Sequence, residues 1–427
     1  MNTQELRHLV TDLCLHGIIR CLKENANQGE YQFYRGISNT LNLEILRYYW
    51  ALSDDIEEVA STVLESPRRL TTAITYDEVE RFGEITGSIN AGATVLAQAR
   101  TLNPTLFVVL EPNSTAHSEP NQLVAWILSE ALHILLSARR VYKPLNRFEW
   151  FHNKLSLLEN AMRNEMLRDI ISTSTGRKRP TQAVLRAASK ARVPIYQVAI
   201  QAFDLLENIE KGQEEAIMKC LSQTLIASLE YWQRLELATA LQAAQALSVR
   251  LKEPVQLSFP FVAGRPIAKI GCFQVYWQYS VPQRPDEKLE LTERWAREIA
   301  KTIGVNTSDS RADIAICLND QVISRFECKY FESRSSAAQA IVDASIQLSR
   351  YARDLFPDSV SEAEELIANS GIIVAQRYSY GATPFEEETG AYHRLICFSD
   401  IEGLKNNALW NWADQLLLRY LPTSAIG

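Results

Sequence analysis

Apolar residues in the first half of the chain recur mostly three and four positions apart. Leu6, Leu9 and Leu13, followed by Ile18, Ile19 and Leu22, set one stripe along an amphipathic helix. Residues 43–64 hold a second such run, and glycines at 83, 87 and 92 interrupt the pattern. The apolar run 106–110 predicts a short strand closed by Pro112. A long apolar helix is predicted from about 121 to 138. Further helical segments are predicted over 181–191, 195–210 and 216–250, with a polar, basic loop at 173–180. The texture then changes. Residues 254–259 and 267–281 alternate apolar and polar positions, as strands do. A helix over 289–303 stops at Gly304, and strands at 312–318 and 321–331 join through Asn319-Asp320, a favourable hairpin turn. A helix at 335–355, strands at 371–376 and 394–399, and a helix at 404–420 complete the chain. The pattern predicts an α/β (α+β) protein. A helix-rich N-terminal domain spans 1–220, and a mixed sheet flanked by helices spans 221–427.

Composition narrows the function classes. Across 427 residues, 46% are hydrophobic and 22% charged, which excludes an intrinsically disordered chain. Residues 122–138, the best apolar stretch, carry Glu130 and His133, so no membrane segment is expected. Asp12, His16 and Arg20 break the early apolar stretch, so no signal peptide is expected either. Seven scattered cysteines without a C-x-x-C pair fit a cytoplasmic protein with reduced thiols. The formal charge of −7 argues against a chain that coats nucleic acid along its whole surface, though not against a local basic groove. Zinc-enzyme histidine spacing, a G-x-S-x-G turn and a P-loop are all absent from the sequence.

The chemistry concentrates between Arg311 and Tyr351. Asp313 lies early in one strand of the predicted hairpin, and Glu327 and Lys329 lie two apart on the other. Side chains alternate along a strand, so Glu327 and Lys329 share a face while Cys328 points away. Two carboxylates and an amine thus converge among apolar neighbours. Like charges resist such desolvation unless a divalent cation joins them, and Mg²⁺ takes carboxylate, water and phosphate oxygens. Metal-assisted hydrolysis of a phosphodiester is the chemistry this outlines. On the following helix Gln347 and Tyr351 are four apart and share one face.

These residues resemble a known group. Arg311-Ala312-Asp313, Glu327-Cys328-Lys329-Tyr330 and Gln347-x-x-x-Tyr351 with Asp354 are similar to the PD-(D/E)xK nuclease superfamily in its branch with a Q-x-x-x-Y helix. Within it the chain resembles the McrC-like nucleases of bacterial modification-dependent restriction systems, with Ala312 where those have proline and Glu327 where they have aspartate. The resemblance implies a DNA endonuclease, with restriction-endonuclease-like mixed sheet, that serves anti-phage defence. Asp313, Glu327 and the backbone carbonyl of Cys328 would hold Mg²⁺ or Mn²⁺. Lys329 would orient or deprotonate the attacking water, and Gln347 and Tyr351 would position the metal shell or the strand. Ser228-Leu229-Glu230-Tyr231-Trp232 is similar to the start of the first nuclease helix, which makes Glu230 the expected helix-borne acid ahead of Glu293. Shorter echoes, Ser118-Glu119-Pro120-Asn121 and Val193-Pro194-Ile195-Tyr196 among them, extend the resemblance upstream. It further implies a motor NTPase partner, AAA+ or helicase-like, docked through the helical first domain, and a possible homo-oligomer. The rival expectation is a weakly catalytic or non-catalytic adaptor that recruits the motor. RNA or single-stranded DNA is the alternative substrate.

Overall fold

The computed structural model describes residues 2–24, 40–65, 70–115, 117–141, 143, 145, 148–173, 178–258, 261, 265–281, 294–295, 298–299, 302, 310–332, 337–376 and 397–421. Most of the expected helix at 289–303, Glu293 included, and residues 174–177 of the basic loop at 173–180 lie outside the described residues. The chain forms two compact units, residues 46–209 and residues 1–45 together with 210–427. The division expected at residue 220 is therefore drawn differently: the break falls at 209/210, and the start of the chain joins the C-terminal half. Among the described residues, no helix is long and apolar enough to cross a membrane.

The unit of residues 46–209 is helical around a small antiparallel sheet. Here α2 (Thr40–Leu52) and α3 (Asp54–Glu65) divide the predicted run 43–64. Strands β1 (Ala73–Phe82) and β3 (Leu106–Thr115) pair along ten residues, and β2 (Ser88–Ile89) adds to the far side of β3. Pro112 does not close β3 as expected. It pairs opposite Tyr76, beyond the reach of β2, so its missing N–H faces an open edge. Helices α4 (Ala91–Thr101), α5 (Glu119–Val141), α6 (Glu149–Ala161), α7 (Glu165–Ser172), α8 (Gln182–Lys190) and α9 (Pro194–Glu210) complete the unit. Asn121 and Tyr196, each from one of the upstream motifs, meet there. The Tyr196 hydroxyl donates to Asn121 Oδ1 at 2.6 Å, and Asn121 Nδ2 donates to the Thr71 carbonyl at 2.8 Å.

The other unit is built on a mixed sheet. Its helices are α1 (Thr3–Glu24), α10 (Glu214–Leu221) and α11 (Tyr231–Leu251), with a π-helical turn at Ser222–Ile226 between the last two. Strands β4 (Gln256–Leu257), β5 (Arg265–Ile270), β6 (Phe273–Val281), β7 (Ser310–Leu318) and β8 (Gln321–Lys329) run antiparallel in sequence order. Helices α12 (Ala337–Leu355) and α13 (Val360–Ala368) follow, then β9 (Gly371–Val374) and β10 (Cys397–Asp400), which add in parallel beyond β8. The chain closes with α14 (Ile401–Lys405) and α15 (Leu409–Tyr420). The sheet order is β10-β9-β8-β7-β6-β5-β4. The fold is α/β, as the patterning predicts.

Helix α11 is apolar on every side, the signature of a buried helix. Leu235, Leu237, Ala238, Leu241, Ala244 and Leu247 are all buried. It packs against the sheet, α15 and α1. Leu6, Val10, Leu13 and Ile18 bury the inner stripe of α1, and Gly17 lets the Leu241 side chain approach where a Cβ would stand only 3.4 Å from it. Gln245 Nε2 donates to the Gly17 carbonyl at 2.9 Å. This packing, and not the local pattern, assigns α1 to its unit.

The centre of the sheet is set by two tight features. Asn319 and Asp320 both have positive φ, 50° and 67°, which is the type I′ turn the dipeptide favours. At Gly371 a Cβ would lie 2.5 Å from Phe326 Cε1 and 2.9 Å from the Cys397 carbonyl oxygen. Phe326 in turn packs edge-on against Trp412, with ring centroids 5.0 Å apart. Gly371→Ala is therefore expected to cost about 1–3 kcal/mol, the usual range for overpacking a tight core. Denaturant midpoints check this, and an unchanged midpoint would mean that Phe326 yields freely.

Candidate active site

Adjacent strands bring Asp313, Glu327 and Lys329 together. A register irregularity between Ile316 and Cys317 of β7 shifts the pairing with β8, after which Ile314 stands opposite Phe326. Arg325, Glu327 and Lys329 then face α12, while Ser324 and Phe326 face Trp412 of α15. Beyond that register, the Asp313 side chain extends the contact between the strands: its Oδ2 accepts the Cys328 N–H at 2.7 Å. Lys329 Nζ lies 3.4 Å from Glu327 Oε2 and donates to Gln347 Oε1. The predicted sharing of a face by Glu327 and Lys329, with Gln347 across from them, is present.

Glu327 is buried at 1% exposure, and its Oε1 has no hydrogen-bond partner among the described residues. Burial, followed by repulsion from Asp313, pushes its carboxyl well above the usual range, against the pull of Lys329 and Arg325. Asp313 keeps some accessible surface but is densely surrounded. Burial raises its pKa too, while the Cys328 N–H and Lys329 work in the other direction. The Cys328 thiol is raised well above the ordinary value by burial, so it stays protonated and supplies no thiolate ligand. Tyr351 is buried, and its hydroxyl donates to the Arg311 carbonyl at 2.6 Å, which fixes the backbone two residues before Asp313.

Of the acids on α11, the structure places Glu236 and not the expected Glu230 beside Asp313. Glu230 is exposed at the N-cap of α11, where its side chain and that of Gln233 form a capping box with the helix backbone. Its role is to satisfy free amides at the helix start, away from the carboxylates. Two turns on, Glu236 is 3% exposed and interacts electrostatically with Asp313. Trp277 Nε1 and Gln278 Nε2 both donate to Glu236 Oε2, at 2.8 and 2.9 Å. Neighbouring strand residues normally point to opposite faces. Both reach Glu236 because Gln278 has φ of 54°, a strained left-handed geometry for a residue with a Cβ. Burial, then repulsion from Asp313, lifts Glu236 to about 8. A lone acid inside the apolar run Leu235–Leu237–Ala238 was the available sequence signal.

Arg325 was also missed. It is fully buried on β8, its guanidinium 5.5 Å from the centroid of the Tyr351 ring. None of its three side-chain nitrogens has a hydrogen-bond partner among the described residues. Burial lowers its pKa to about 10, with Glu327, Tyr351 and Asp354 opposing the shift, so it remains a cation at neutral pH.

The residues fit a hard divalent cation in part. Among the described residues no three His, Cys, Asp or Glu side chains come together as a ligand set. Two carboxylates are available, one with an unpartnered buried oxygen, and Mg²⁺ commonly takes one or two carboxylates and completes its shell with water and phosphate.

No family model matches the chain, and no curated protein matches it. Among solved structures it is similar to a refined half-complex from a tetradecameric assembly of Thermococcus gammatolerans McrB AAA+ hexamers with bound McrC. The identity is 12% and the TM-score 0.23, over 97% of this chain and 76% of that one. A likeness of that degree has no weight for fold or function.

Three acids with raised pKa values mean that the folded, metal-free protein holds protons that the unfolded chain releases. Stability is then greatest below the ordinary carboxylate range and falls as pH rises toward about 8, the Glu236 value. In EDTA the melting temperature is expected to drop between about pH 5 and pH 8. Mg²⁺ is expected to raise it more at the higher pH, because the ion competes with those protons. An equal Mg²⁺ increment at both pH values would show that the acids do not receive the ion.

Proposed function

We propose that the chain is a metal-dependent nuclease that hydrolyses DNA phosphodiesters, acting as the nuclease subunit of a restriction-type defence system. The observation that carries this reading is the convergence of Asp313 and Glu327 beside Lys329, with Glu327 Oε1 buried and unpartnered. Asp313, Glu327 and the Cys328 carbonyl would hold Mg²⁺ or Mn²⁺. The ion supplies Lewis acidity toward a phosphoryl oxygen and lowers the pKa of bound water.

The protein groups have separate tasks. Lys329, braced by Gln347 and Glu327, orients or deprotonates the attacking water and offsets negative charge developing on the phosphoryl oxygens. Glu236, in place of Glu230, is the acid that α11 brings to this centre. Gln347 and Tyr351 are positioning residues, one on Lys329 and the other on the Arg311 backbone.

A motor partner is part of the proposal. The sequence has no P-loop of its own. In the unit of residues 46–209, Ile74, Tyr76, Phe82, Val95, Leu96 and Leu102 are exposed, between 64% and 89%. Exposed apolar side chains at this density support a protein-binding surface there. The motif resemblance of residues 311–354 to McrC-like nucleases supports an AAA+ or helicase-like NTPase as its occupant.

The full chain is expected to cut plasmid DNA in Mg²⁺ or Mn²⁺ and not in EDTA. Lys329→Ala and Asp313→Asn should lower the rate by about 10²–10⁴ or more. Glu236→Gln should also lose activity, whereas Glu230→Gln should cut normally. Loss in Glu230→Gln but not in Glu236→Gln would reverse the assignment of the helix-borne acid. No cutting in either metal would favour the adaptor role, in which motor binding survives Asp313→Asn.

A further inference from the structure

The residue after Lys329 opens onto a second feature. Tyr330, directly after Lys329, stacks on Tyr231, with ring centroids 6.0 Å apart and planes 19° apart. Tyr231 is the first residue of α11 and lines a cavity of about 570 Å³ in the same unit, together with Arg7, His8, Thr11 and Arg234. Residues 7, 8 and 11 lie on a face of α1 that borders the stripe buried against α11. The cavity therefore joins the first helix of the chain to the strand that carries Glu327 and Lys329.

Two guanidiniums are held in place there. Arg234 Cζ lies 4.5 Å and Arg7 Cζ 4.9 Å from the centroid of the Tyr231 ring. Arg234 donates through Nε to the Leu229 carbonyl at 2.9 Å and through Nη1 to Thr11 Oγ1 at 2.8 Å. It has no carboxylate partner among the described residues, and its Nη2 is not used in either bond. Arg7 donates from Nε and Nη2 to Glu332 Oε1, at 3.0 and 2.7 Å, and also hydrogen-bonds the Tyr330 hydroxyl. A third guanidinium, Arg311, lies 5.9 Å from the Trp232 ring and only two residues before Asp313. A concave, cationic spot on a chain of net charge −7 runs against the average of the surface.

We propose that this cavity is a phosphate clamp for the nucleic-acid strand cleaved at the Asp313–Glu327–Lys329 centre, gripping a backbone phosphodiester beside the scissile one. The proposal deepens the nuclease reading and rests on it. Arg234 presents a preset guanidinium with no carboxylate partner among the described residues, and Arg7, held by Glu332, is a second donor at its rim, which suits a phosphate oxygen better than a base edge. Such contacts set the register of the strand and carry no sequence information. Stacked Tyr330 and Tyr231 link the clamp to the residue next to Lys329, so the strand is held on one side of the bond that breaks.

The test uses the full chain with Asp313→Asn as background, so that binding is read without cleavage. Fluorescence anisotropy of a labelled DNA duplex is followed against salt. Arg7→Gln and Arg234→Gln are each expected to weaken binding and to reduce the magnitude of the log K–log[salt] slope by about 0.9, and the double variant by about twice that. Arg234→Lys should restore the slope, which a purely structural role for Arg234 would not predict. Arg7 sits on the exposed face of α1, so its variant reports even if Arg234→Gln unfolds the helix start. Unchanged slopes in Arg7→Gln and the double variant, or no salt-dependent binding at all in the background protein, would overturn the clamp. Wild-type cutting with unaltered slopes would remove the clamp alone. Reduced slopes without any metal-dependent cutting would keep the clamp and remove the nuclease reading.

Discussion

Charge balance in a nearly dry space is the constraint on which this site depends. Asp313 interacts with Glu327 on one side and with Glu236 on the other, and Lys329, Arg325 and Arg311 are the cations around them. Isolated buried charges are costly. Burial, more than repulsion between them, pushes all three acids upward, so in the metal-free state they hold protons. A divalent cation bound as proposed would replace those protons. Arg325 matters because it cannot leave: it has no hydrogen bonds to trade and stays charged at neutral pH. It is a fixed background charge that keeps ionisation of Glu327 within reach of an arriving ion.

The scaffold holds the charged groups together through local irregularities in an otherwise regular sheet. The shift at Ile316/Cys317 turns Arg325, Glu327 and Lys329 toward α12, and positive φ at Gln278 lets two consecutive side chains grip Glu236. Without the first, the alternation of β8 would direct its charges toward Trp412. Without the second, Glu236 would lose one of its two donors and become more costly to bury. Gly371 closes the arrangement by letting β9 approach Phe326 behind Glu327.

How much of this was legible in the sequence depends on the range of the interaction that decides each feature. The β7–β8 hairpin was readable because Asn319-Asp320 specifies its turn locally. Period-two and period-four spacing likewise placed Glu327 with Lys329 and Gln347 with Tyr351. The membership of α1 was not readable, since its stripe does not say which helix covers it. Glu230 misled because a capping acid and a functional acid look alike at a helix start. Glu236 was hidden because α11 is buried on every side, so the amphipathic contrast that marks an inward-facing acid is missing. Strand β3 continued past Pro112 because its neighbour on one side had already ended, a fact of topology that no window of sequence contains.

Helix α11 ties these observations into one mechanical unit. Its N-terminal turn carries Tyr231 and Arg234, its second turn carries Glu236, and its far half is clasped to α1 through Gln245 and Gly17. A rigid helix transmits a shift at one end to the other, since its core packs closely and yields little. Tyr231, Arg234 and Glu236 therefore share one rigid element, which fixes the proposed clamp relative to the acid beside Asp313 even though residues 7 and 313 are separated by most of the chain.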